Sequence, residues 1–157
     1  MDPLCLVFAV LASILLVFVL LFMFGQWDAR RTAEIAKEEE AREAREADIL
    51  PAKCFTMLLK YVALGDRRIG DGEKLHIAGV VRRAFPGKLT EAELRLLVDH
   101  ATPEYHQIGA LAVPFLGMSE DGRRNLLAII ASVAGADGKA TKSEKERLAA
   151  IQAVLGL

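Results

Sequence analysis

Val133-Ala-Gly-Ala-Asp-Gly-Lys-Ala-Thr-Lys-Ser-Glu-Lys-Glu-Arg-Leu148 reads as the end of one helix, an Asp-Gly turn and the start of another. Thr141 and Glu144 stand three apart, the spacing of a capping box. The hydroxyl can accept from the Glu144 amide while the carboxylate reaches back to the Thr141 amide. Asp137-Gly138 supplies the reversal, because glycine takes positive φ without steric cost. The same pattern occurs 71 residues earlier, in Val62-Ala-Leu-Gly-Asp-Arg-Arg-Ile-Gly-Asp-Gly-Glu-Lys-Leu75. Val62, Ala63, Asp66, Glu73 and Lys74 align without a gap on Val133, Ala134, Asp137, Glu144 and Lys145. The chain therefore holds an internal repeat of two helix–acidic turn–helix units.

Outward from these turns the carboxyl part reads as helices throughout. Phe55, Leu58, Leu59 and Val62 form a one-faced stripe of helical period, and Leu75, Ala78, Val81 and Phe85 form the next. Pro86-Gly87 breaks the chain, and Thr90 with Glu93 makes a second capping box before Leu94, Leu97 and Val98. Thr102-Pro103 reads as a cap and first helical residue of a helix that Pro114 kinks or ends. Ser119 can cap a further helix carrying Leu126, Leu127, Ile130, Val133 and Ala134. The last helix, from Thr141, carries Leu148, Ile151, Val154 and Leu155. No alternating run of β-branched residues suggests a strand, so the fold class is all-α, with a compact bundle over 51–157.

The doubled turn, and above all Asp137-Gly138-x-x-Thr141-x-x-Glu144, resembles the TerB-like domain of tellurite-resistance proteins and membrane-anchored DnaJ-like co-chaperones. The resemblance covers residues 52–157. The first copy departs from the pattern, with Arg67 where glycine is usual and Gly70 where serine or threonine is usual. The resemblance implies an all-α interaction domain with an acidic patch, carried here by Asp66, Glu73, Asp137 and Glu144. Hard oxygen ligands gathered in that way suit Ca²⁺ or Mg²⁺. The other reading of the same residues is architectural: Asp-Gly makes a good turn, and the capping box already accounts for Glu144. Neither loop has the ligand spacing of an EF-hand.

Toward the amino end the composition changes. Leu4 to Phe24 is an uncharged run of 21 residues, about 31 Å as a helix and enough for a bilayer's hydrocarbon core. Trp27, Arg30 and Arg31 follow it. Asp2 stands where a signal peptide would be basic, and no small-residue cleavage site closes the run. The expected organisation is a transmembrane anchor over 1–27, a charged helical stalk over 28–50 that ends at Pro51, and a helical domain over 51–157. Arg30, Arg31 and Lys37 lie carboxyl-terminal to the span, which would place that domain on the cytoplasmic side of a bacterial inner membrane. The expected partners are the lipid bilayer and other membrane or cytoplasmic proteins.

Other classes of function find little support. The net charge is −1. From Pro51 onward twelve acidic residues face fifteen basic ones, which makes no case for nucleic acid. Cys5 and Cys54 lie in apolar segments and are not expected to pair. Glu73 and His76 stand one turn apart but make only two ligands. His100 and His106 lack companions at ligand spacing. No nucleophile elbow, phosphate loop or dinucleotide fingerprint occurs, so neither an enzyme nor a small-molecule substrate is expected. The chain has no His-Pro-Asp run, so stimulation of an Hsp70 is not expected of these residues. The function read from the sequence is a membrane-anchored, non-enzymatic adaptor in metal or envelope stress. The alternative is an accessory single-span subunit of a larger membrane complex.

Overall fold

A proline inside a helix removes one backbone donor and crowds the carbonyl four residues before it, at a cost of about 3 kcal/mol. The stalk is expected to end at Pro51 because a proline also disfavours the helical conformation of the residue before it. In the computed structural model, which describes residues 3–64, 69–103, 107–134, 136 and 140–157, helix α1 instead runs from Pro3 to Ala63 with Pro51 inside it. Burial explains the difference. Ile49, Ala52, Phe55, Leu58, Leu59 and Val62 on either side of Pro51 are all buried. Each large apolar side chain taken from water contributes about 1.5–3 kcal/mol, so a few of them outweigh the proline. The buried Thr56 hydroxyl is satisfied within the same helix, donating to the Ala52 carbonyl at 2.7 Å.

The chain divides into two units, Met1–Arg45 and Glu46–Leu157. In the first, side chains 30–45 are exposed along their whole length. That suits the Ala, Glu and Arg composition of a solvated helix. The anchor expected over 1–27 needs correction, and with it the transmembrane part of the fold class. Among the described residues no helix is long and apolar enough to cross a membrane. A span needs about 20 consecutive apolar residues. The side chains described between 3 and 29 are Leu16, Phe18, Phe22, Met23, Phe24, Gln26 and Trp27, and charged side chains follow from Arg30.

The second unit is a bundle around the carboxyl third of α1. After the first turn come α2 (Asp71–Ala84), α3 (Glu91–Asp99) and the short α4 (Ile108–Ala112). A 3-10 turn over Val113–Phe115 leads to α5 (Glu120–Ala131) and α6 (Lys142–Val154). Among the described residues there is no strand, in line with the all-α reading. The core gathers Phe55, Leu58, Leu59 and Val62 of α1 with Ile77 and Val81 of α2. Ile130 and Val133 at the end of α5 and Ile151 and Leu155 at the end of α6 complete it. α2 packs on α3, and α6 packs on both α4 and α5.

Local signals place most of these boundaries. Thr90 Oγ1 accepts from the Glu93 amide at 3.2 Å, and Glu93 Oε2 accepts from the Thr90 amide at 2.7 Å. Ser119 Oγ accepts from the Gly122 amide at 3.2 Å. Gly87, at φ 72°, turns the chain after Pro86. Pro114 falls inside the 3-10 turn that follows α4. Two expectations give way. The helix expected from Thr102 begins at Ile108 among the described residues, with 101–103 irregular. Leu75, expected to face inward, is 73% exposed while Ile77 is fully buried. The two stand about 200° apart around the helix, so only one can face the core.

One core contact was not anticipated. Lys60 is 3% exposed, and its ammonium donates to the carbonyl of Leu97 at 2.9 Å and to that of Ala101. The charge closes the carboxyl end of α3, where unpaired carbonyls and the helix dipole favour a cation. Burial pulls the Lys60 pKa below its ordinary value, the nearby Asp99 carboxylate opposes that shift, and Lys74 adds to it. Lys60→Met should lower stability by about 1–3 kcal/mol by leaving two carbonyls without a donor. The unfolded chain holds the Lys60 proton up to a higher pH than the folded one. The contribution of Lys60 to stability therefore grows as pH rises from the depressed folded value through 10.5. Urea unfolding of wild type and Lys60→Met across the alkaline range should show a widening gap. A constant or narrowing gap would refute this account.

Candidate functional site: the paired corners

The first corner joins the end of α1 to α2. Gly70 is the capping residue of α2, and Glu73 Oε2 accepts from its amide at 2.7 Å. Gly70 has no side chain to return the bond, so this corner carries half of the box that the second completes. In the second corner Thr141 Oγ1 accepts from the Glu144 amide at 3.3 Å, and Glu144 Oε2 accepts from the Thr141 amide at 2.8 Å. The Ala136 amide reaches back to the Val133 carbonyl at 3.2 Å, closing the turn after α5.

The fold brings the two corners together. A pocket of about 410 Å³ is lined by Gly70, Gly72, Glu73 and His76 from the first corner and by Ala136 from the second. His76 Nε2 is buried beside it and finds no hydrogen-bond partner among the described residues. Of the four residues read as a cation patch, Glu73 lines this pocket. Glu144 does not: it is 2% exposed, and its carboxylate takes both the amide and the hydroxyl of Thr141. Asp66 and Asp137 lie outside the described residues. Among the described residues no group of three or more His, Cys, Asp or Glu side chains stands close enough to hold a metal ion.

Two further surface features were not read from the sequence. The first is a groove of about 490 Å³ between the carboxyl third of α1, the Phe85 turn and α5. Pro51, Phe55, Phe85, Phe115, Met118 and Ile129 are among its lining residues. The Phe55 and Phe85 rings meet at 5.3 Å and 54° in its wall. The second is a groove of about 290 Å³ between α2 and α3, with charged rims. Phe115 and Met118 stand in or beside turns, where periodicity gives no face, and Phe85, read from the sequence as part of the inward stripe, stands at the end of α2.

The remaining reactive groups are quiet. Burial raises the Cys54 thiol pKa, which keeps it protonated and inert. Arg147 lies 4.9 Å over the Tyr61 ring and donates to the Tyr61 carbonyl at 2.7 Å, tying α6 to α1. Glu91 and Glu120 are held below the usual carboxylate range by hydrogen bonds from Arg82 and Arg124.

Comparison of the chain with protein-family models, with curated proteins and with solved structures found no match. The likeness to TerB-like domains therefore rests on the turn motifs alone.

The half-formed first box has a direct test. Gly70 sits at φ −72° and ψ 163°, open to any L-residue, and an added Cβ would meet only Glu73 Oε2 at 3.7 Å. Gly70→Ser should complete the box and stiffen the unfolded chain, raising stability by about 0.5–1 kcal/mol. A urea midpoint that stays the same or falls would show that the two corners are not built alike.

Proposed function

We propose that this chain is a non-enzymatic, all-α interaction module that holds an apolar partner segment in the groove beside Phe55, Phe85 and Phe115. The supporting observation is the groove's lining: Pro51, Phe55, Ala84, Phe85, Pro114, Phe115, Met118, Gly122, Asn125, Leu126 and Ile129. No titratable or nucleophilic side chain is among them. Chemistry on a bound substrate needs such groups within hydrogen-bond reach of the reacting atoms. Binding of an apolar segment needs what is present, namely aromatic walls, a flexible methionine and one amide at the rim. Met118 and Ile129 remain substantially exposed, so a partner would gain by covering them. The reading needs no cation.

The test uses the full chain as bait for a displayed library of random peptides. Selected peptides should be apolar or amphipathic, and Ile129→Glu should weaken their binding by about tenfold or more. Leu75→Glu, on the other groove, should leave that binding unchanged. Peptides that bind wild type and Ile129→Glu equally would remove this groove as the docking surface.

A further inference from the structure

The groove between α2 and α3 differs from the first in one respect: it carries a knob as well as a hole. One face of α2, Asp71, Lys74, Leu75, Ala78 and Arg82, opposes one face of α3, Glu91, Leu94, Arg95, Val98 and Asp99. Leu94, Val98 and the small Ala78 form a buried floor. Leu75 stands at the edge of that floor, 73% exposed, the most exposed of the large apolar residues described in the chain. Contact with a second molecule would take that side chain out of water and bury its apolar area.

Charge divides along the groove. At one end Lys74 lies between Asp99 at 3.2 Å and Asp71 at 3.8 Å, so the side chains lining the groove there carry one negative charge in excess, with the buried Lys60 ammonium behind them. At the other, Arg82 holds both oxygens of Glu91 at 2.6 and 2.7 Å, and Arg95 approaches the same carboxylate, leaving one positive charge in excess. A two-fold axis through the middle of such a face lays each end against the opposite end of the second copy. Isologous contacts require that kind of self-complementarity.

We propose that the α2/α3 face is the contact surface of a two-fold dimer, in which Leu75 of each copy enters the other's groove over Ala78. The occupant is a second copy of this chain because knob, hole and both signs of charge lie on one face. A foreign partner would require only the hole.

Sedimentation of the full chain over a range of concentrations tests this. Wild type should pass reversibly between monomer and dimer. Leu75→Glu should raise the dissociation constant by about tenfold or more while leaving the helical circular dichroism intact. Arg95→Glu should also weaken the dimer, and combining it with Asp71→Lys, which exchanges the signs of the two ends, should restore it. Ile129→Glu should have no effect on association. A wild type that stays monomeric throughout, an association indifferent to Leu75→Glu, or a double variant no better than Arg95→Glu alone would each overturn the proposal.

Discussion

The second unit depends on covering a single stripe. Phe55, Leu58, Leu59 and Val62 are completely excluded from solvent, which no single neighbouring helix could achieve. α2, α5 and α6 all bring large side chains to the same cluster, from Ile77 and Val81 through to Ile151 and Leu155. Interiors pack at the density of organic crystals, so the stripe sets where each of those helices can lie. It also explains why α1 continues through Pro51, since the apolar gain on either side exceeds the cost of one lost donor.

Polar contacts then select among the packings that such a stripe would allow. The Lys60 ammonium, buried among these side chains, is tolerable only because backbone carbonyls of the α3 end receive it. Arg147 does the converse from α6, placing its guanidinium over Tyr61 and its hydrogen bond on the Tyr61 carbonyl. Both tie α1 to a distant helix through backbone acceptors. Moving either helix by a turn would leave a buried charge or carbonyl unpaired, and the register is held by that penalty.

The surface of this unit divides its chemistry cleanly. The groove beside Phe55 and Phe85 is lined by apolar and aromatic groups and has nothing to titrate. The α2/α3 groove has an apolar floor with ion pairs at both ends. Exposed pairs of that kind add little to stability, typically under about 1 kcal/mol, and their effect lies in orientation and choice of partner. The paired corners place Glu73 and His76 on a shared pocket, while Glu144 is committed to its cap.

What could be read along the chain was whatever involves residues within about four positions of each other. The boxes at Thr90–Glu93 and Thr141–Glu144, the Ser119 cap, the Pro86-Gly87 break and the helix end before Pro114 all stand where local chemistry puts them. Contacts that only folding brings together decided the rest. Leu75 rather than Ile77 faces solvent, and Lys60 meets carbonyls 37 and 41 residues away. The apolar run at the amino end suggested a membrane span, yet no described helix is long and apolar enough to cross one. Caps and turns are settled by short-range geometry that every chain carries with it. Which face is buried, and which grooves stay open, depends on what the other helices bring to α1.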